Sequence, residues 1–261
     1  MNPEDLDAML NEWPLPRALP GETLFIKVWG SYSHNTNLPT SDVDYLAVYE
    51  ADPLKLLSLN PPPETVDGSK PDFQAHELGK FASLLRKGNP GVIECLFTEH
   101  GIRGYSPAWD ELRAIRQITL NQQTLKQYLG YCTGQLQRMK NALRLHTAGG
   151  QFNTKWAYHL IRLANDALRI SGGLAPVVFK PDGSPERDQL MQIRGGLYSP
   201  AAVEDVFNEI DAAIQLHKKE LPAALDERLL DHWLVTARRR TFDHISAQMA
   251  ADLQVLPAAK T

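Results

Sequence analysis

Two apolar runs, Leu24-Phe25-Ile26-Lys27-Val28-Trp29 and Tyr45-Leu46-Ala47-Val48-Tyr49, bracket a polar loop that opens on Gly30-Ser31 and closes on Asp42-Val43-Asp44. Short runs of this kind read as strands, so this part of the chain is held to a strand–turn–strand unit. Strand side chains alternate between faces, which predicts that Asp42 and Asp44 point the same way. Two carboxylates at that separation repel unless a cation lies between them. Oxygen-only donors beside a phosphate-binding turn suit Mg²⁺, which takes one or two carboxylates together with substrate phosphates. The expectation is that the Gly30 backbone and the Ser31 hydroxyl hold phosphate oxygens while Asp42 and Asp44 hold metal.

Residues 4–12 read as a short helix ended by Pro14 and Pro16, and a long excursion runs from 51 to 70 through Pro61-Pro62-Pro63 and Asp67-Gly68. Pro71-Asp72-Phe73-Gln74-Ala75-His76 reads as a third short strand, and residues 78–85 have helical spacing that stops at Gly88-Asn89-Pro90. Val92–Phe97 is compact and apolar apart from Glu94 and fits either a strand or a buried turn of helix. Beyond Gly104, residues 107–118, 121–146, 152–171, 201–219 and 226–251 carry apolar side chains every three or four positions, punctuated by Gly149-Gly150, Gly172-Gly173 and Gly195-Gly196. This pattern predicts an α+β protein: a small mixed-sheet unit over 1–105 and a helical domain over 106–261.

The net charge of −4 over 261 residues gives no global attraction to nucleic acid, so a polynucleotide has to meet a local basic patch. Arg238-Arg239-Arg240 is the densest cluster of that kind. The two cysteines, Cys95 and Cys132, lack metal-site spacing and read as reduced packing residues. No apolar run reaches the length of a membrane span, and the acidic start of the chain is unlike a secretory signal, so a cytoplasmic location is expected.

Gly-Ser, a short loop and Asp-x-Asp resemble the signature of the polymerase-β-type nucleotidyltransferase superfamily. Within it the chain is similar to the RNA-repair-pathway nucleotidyltransferases. Gly30–Ser33 and Pro39–Asp44 match the loop, Lys87-Gly88-Asn89-Pro90 with Glu94 matches a second block, and Lys155, His159–Arg162 and Leu190–Gly196 match helical blocks. One departure is Asn35, where the family has a second glycine; asparagine tolerates left-handed backbone better than most residues.

The resemblance implies an enzyme moving a nucleoside monophosphate from a nucleoside triphosphate such as ATP to an acceptor hydroxyl, with two Mg²⁺ ions and release of pyrophosphate. It implies an RNA or tRNA end as acceptor. A protein or small-molecule acceptor, or a nucleotide-binding regulator without turnover, are the alternatives. Such a site takes a third carboxylate, and Asp72 is expected to fill it as both catalytic residue and metal ligand. Strand alternation puts Asp72, Gln74 and His76 on one face, with Phe73, Ala75 and Glu77 on the other, so Glu77 is expected to begin the next helix. Lys155, His159 and Arg162 fall at i, i+4 and i+7 on one helix face, and Lys155 and His159 are expected to offset triphosphate charge. Ser41 either caps its turn or touches phosphate, and His34 is either a nucleotide contact or a solvated loop histidine. Asn89 and Glu94 are expected to support the turn between two elements.

Overall fold

The structure, a computed structural model, describes residues 1–12, 19–145, 152–217 and 219–254. Pro14, Pro16 and Gly149-Gly150, expected to end or separate helices, lie outside the described residues. In chain order the elements of the first part are α1 (Pro3–Glu12), β1 (Gly21–Trp29), the single turn α2 (Gly30–Ser33), β2 (Asp44–Ala51), α3 (Pro53–Leu56), β3 (Thr65–Ser69), β4 (Asp72–Glu77), α4 (Leu78–Arg86), α5 (Pro90–Phe97) and β5 (Ile102–Gly104). Then come α6 (Pro107–Ala114), α7 (Gln122–Leu145), α8 (Thr154–Ser171), α9 (Pro185–Arg194), α10 (Pro200–His217) and α11 (Glu227–Gln254).

The protein is α+β, with one mixed five-stranded sheet in the order β3-β4-β2-β1-β5. β1 pairs antiparallel with β2 and β5, β4 pairs parallel with β2, and β3 closes the edge antiparallel to β4. Leu24–Val28 and Tyr45–Ala51 are buried without a break because both sheet faces are covered. One face carries Ile26, Val28, Tyr45 and Ala47 against Leu6 and Leu10 of α1. The other carries Phe25, Leu46 and Val48 against Leu78, Phe81 and Leu85 of α4 and Ile93 and Leu96 of α5. Phe25 meets Phe81 edge-on at 5.4 Å and Trp109 of α6 at 4.2 Å between ring centroids. That apolar cluster continues into α7, α8, α10 and α11, so residues on both sides of position 105 share it. Trp233 on α11 is anchored within it, its Nε1 donating to the Ala108 carbonyl at 2.7 Å.

Two expectations need correction, and a choice left open is resolved. The excursion at 51–70 contains α3 and the edge strand β3. β5 lies where the sequence pattern shows no strand. Val92–Phe97 is helical: Asn89 Oδ1 caps α5 by accepting from the backbone N–H groups of Gly91 and Val92 at 3.0 and 3.4 Å.

Candidate active site

β1 ends at Trp29, and Gly30 turns the chain at φ +65°. A Cβ at position 30 would lie 2.4 Å from Asp44 Oδ2, so the turn needs glycine for both its backbone angle and its space. Ser31 lends its carbonyl to the Thr36 N–H at 3.0 Å and to the Thr36 hydroxyl at 3.3 Å; its own hydroxyl bonds to nothing among the described residues. Asn35 adopts φ +55°, the left-handed conformation expected of the residue that replaces glycine there. Its Nδ2 donates to the Lys180 carbonyl at 2.9 Å and to Asp182 Oδ1 at 2.8 Å.

The loop between Asn35 and Ser41 is pinned from α9. Arg187 Nε donates to the Asn35 carbonyl at 2.7 Å. Arg194 donates to the Thr36 carbonyl at 2.5 Å and to Ser41 Oγ at 3.3 Å, its guanidinium lying 5.3 Å over the Tyr158 ring. Ser41 Oγ also accepts from the Leu38 N–H at 2.9 Å, so its hydroxyl closes the turn. The turn-capping role read from the sequence for Ser41 is thus present in the structure. In the sequence Arg194 stands out only as part of a helical match; no periodicity flags an arginine that reaches across to another element.

Asp44 is the first residue of β2. It stands opposite Trp29 on β1 and opposite Asp72 on β4. Register partners share a face, so the Asp44 and Asp72 side chains project together. Asp42 precedes the ladder, so strand alternation does not by itself align it with Asp44. Their fields still overlap. Burial pushes the Asp44 carboxyl up from its ordinary pKa, the negative charges of Asp72 and Asp42 push it further, and the Lys155 ammonium pulls it down. Asp42, Asp72 and Lys155 therefore all lie within electrostatic reach of Asp44.

Among the described residues no three His, Cys, Asp or Glu side chains are gathered to the spacing of a metal site. Separation is what three like charges adopt on their own. The fit to Mg²⁺ rests on donor chemistry: a set of carboxylate oxygens with the Asp44 charge destabilised by its neighbours.

On α8 the predicted trio divides. Lys155 is exposed and has no ion pair among the described residues. His159 is mostly buried; burial first, then the Arg162, Lys155 and Arg194 charges, depress its pKa to about 3. With no anion bound, its imidazole is held neutral at pH 7. Arg162 does not face the cleft with them. It is buried and donates through Nη1 to Glu94 Oε1 at 2.5 Å. Glu94 Oε2 lies 3.5 Å from His34 Nε2, and His34 Nδ1 lies 3.0 Å from the Val178 carbonyl. His34 is 6% exposed, so it is a buried strut and not a solvated loop residue.

Glu77 lies at the end of β4, where it caps α4 by accepting from the Gly79 N–H at 2.6 Å and grips both Arg238 nitrogens at 2.6 and 2.8 Å. Arg240 pairs with Glu111 at 2.7 Å. Two of the three consecutive arginines are thus committed to carboxylates. Lys27, read only as part of a strand, is buried with its Nζ 5.1 Å from the Trp29 ring and no hydrogen-bond partner among the described residues. Cys95 and Cys132 are free and buried, as expected. Among the described residues no helix is long and apolar enough to cross a membrane.

A search of curated proteins found no match to the chain. A family model, by contrast, matches residues 5–236, a span running from α1 into α11 and holding every residue of the cleft just described. On that match the chain belongs to the RNA repair pathway DNA polymerase beta family, a polymerase-β-type nucleotidyltransferase group.

Proposed function

We propose that the protein transfers a nucleoside monophosphate from a nucleoside triphosphate to the hydroxyl of an RNA end. The observation that carries this reading is the placement of Asp44 and Asp72 opposite each other on adjacent strands, with Asp42 and Lys155 in the same electrostatic field. Asp42, Asp44 and Asp72 would hold Mg²⁺, which when bound neutralises the triphosphate and polarises the phosphorus under attack.

Lys155 meets the triphosphate with an exposed ammonium that makes no ion pair among the described residues. The Gly30-Ser31 turn offers its backbone and the unengaged Ser31 hydroxyl to phosphate oxygens. Asp72 accepts the acceptor hydroxyl's proton as that oxygen bonds to the α-phosphorus. The bond from the α-phosphorus to the bridging oxygen breaks in line, and pyrophosphate leaves with the electron pair. His159, neutral, serves as a hydrogen-bonding group beside the phosphates.

The test is incubation with α-labelled nucleoside triphosphates, Mg²⁺ and cellular RNA, followed by separation of RNA, protein and small molecules. Label in RNA supports the reading. Label confined to protein or to a small molecule replaces the acceptor, and no label in any fraction refutes transfer.

A further inference from the structure

An RNA acceptor needs a surface, and the overall charge of the protein does not provide one. The chain carries 31 acidic against 27 basic residues, yet there is no Asp or Glu between Glu111 and Asp166. That stretch includes all of α7. Lys140 on α7 is paired with Glu204 of α10. Lys126 and Arg138 are exposed and without an ion pair among the described residues.

Lys126, Gly130, Gly134 and Arg138 follow one another at intervals of four, forming a single oblique row on the exposed side of α7. The two cations stand about 18 Å apart along the axis, at 1.5 Å per residue. Between them the helix is bare: a Cβ added at Gly130 or Gly134 would meet nothing within 4 Å. Apart from proline, glycine is the least favourable residue for a helix interior, and the fold itself has no packing use for these two. A close-lying ligand backbone does.

Beside the row stands Tyr131, 44% exposed, its hydroxyl accepting from Asn89 Nδ2 at 3.1 Å. Asn89 leads to the reacting groups. Gly91, which it caps, lies against Trp29, since a Cβ there would sit 2.9 Å from the ring, and Trp29 is the register partner of Asp44. The row is thereby linked, residue to residue, to the strand pair that carries Asp44.

We propose that this face of α7 is the docking surface for the acceptor, a single-stranded RNA. Its backbone lies over Gly130 and Gly134, phosphates meet Lys126 and Arg138, and a base stacks on Tyr131. The inference rests on the RNA-end reading above, and its test separates the two.

The experiment is equilibrium binding of a fluorescently labelled single-stranded RNA oligonucleotide to the full chain across a range of KCl concentrations, without nucleotide or Mg²⁺. Lys126→Gln with Arg138→Gln is expected to lower the slope of log K against log salt by about 1.4, at roughly 0.7 for each phosphate of the single strand that is no longer neutralised. Tyr131→Ala weakens binding and Tyr131→Phe restores it. Gly130→Glu with Gly134→Glu abolishes binding without lowering the unfolding midpoint, because the added side chains meet open space in the free protein. Unchanged affinity and slope in both double variants, in a protein that still labels RNA, overturns the surface and leaves the acceptor reading standing. A wild-type protein that binds no RNA and labels only protein or small molecules overturns the acceptor reading itself.

Discussion

Glu77→Gln tests whether the second carboxylate of β4 is structural, and the structure sets how much that variant costs. As a helix-start residue in water, Glu77 would be worth only a fraction of a kcal/mol through the α4 dipole, with ~1 kcal/mol as an upper figure. It is instead 4% exposed and joined at both oxygens to Arg238, whose side chain is 19% exposed. The amide oxygen introduced by the substitution can still accept from the Gly79 N–H, so the cap survives, but the guanidinium loses its counter-charge. Breaking a fully buried pair from one side costs about 3–5 kcal/mol, and the partial exposure of Arg238 brings this to about 2–4 kcal/mol. Glu77→Ala removes the cap as well, for about 1 kcal/mol more. Urea unfolding gives both numbers, provided the slope with denaturant stays constant. A cycle with Arg238→Met isolates the pair, with a coupling energy of at least about 2 kcal/mol expected. A loss below about 1 kcal/mol in Glu77→Gln, or negligible coupling to Arg238, refutes the argument. So does a Glu77→Gln protein that is well folded and catalytically dead.

Three further outcomes follow from buried groups. His159 has a folded pKa of about 3, below its unfolded value, so the unfolded chain binds the extra proton as pH falls below about 6.5. Its contribution to stability is complete above that value and is lost on the way down to about 3. His159→Gln should therefore flatten the acid limb of stability, by about 2 kcal/mol at pH 4.5, and an unaltered limb in urea titrations would count against its burial. Burial pushes the Cys95 and Cys132 thiols up to about 12, so neither reacts with a thiol reagent at pH 8 until urea unfolds the protein; fast labelling of the native state contradicts this. Lys27→Met replaces a buried amine that has no hydrogen-bond partner among the described residues, and the variant should be more stable to urea by about 1–3 kcal/mol; a destabilised variant shows that Nζ has a role in the fold.

The site's framework can be read in the chain because it is local. Gly30, the two apolar runs and Asp42-x-Asp44 are adjacent in sequence, and the alternation of Asp72, Phe73, Gln74 and Ala75 is enough to phase β4: Ala75 is buried in the α1-side core while Asp72 meets Asp44. What cannot be read depends on partners far along the chain. Periodicity puts Lys155, His159 and Arg162 on one face, but α8 is packed by α7, α9 and α10, so a seven-residue climb carries Arg162 from the exposed end into the interior, where Glu94 receives it. His34 sits in a polar loop, yet the loop folds under residues 178–182 and is buried. The edge strands β3 and β5 escape a sequence reading because one is half exposed with a single aliphatic residue and the other is three residues long. Arg238-Arg239-Arg240 resembles a basic patch because a charge run does not reveal which of its members already has a carboxylate.

The central claim is that Asp42, Asp44 and Asp72 carry nucleotidyl transfer, and it is tested most directly by single-turnover rates with α-labelled triphosphate and an RNA acceptor. Asp42→Asn and Asp44→Asn keep volume and remove the charge that metal binding requires, so both should abolish transfer with the fold intact. Asp72→Asn should slow the chemical step by several orders of magnitude while nucleotide binding, measured separately, persists. Near-normal single-turnover rates in Mg²⁺ for Asp42→Asn, Asp44→Asn or Asp72→Asn would contradict the account.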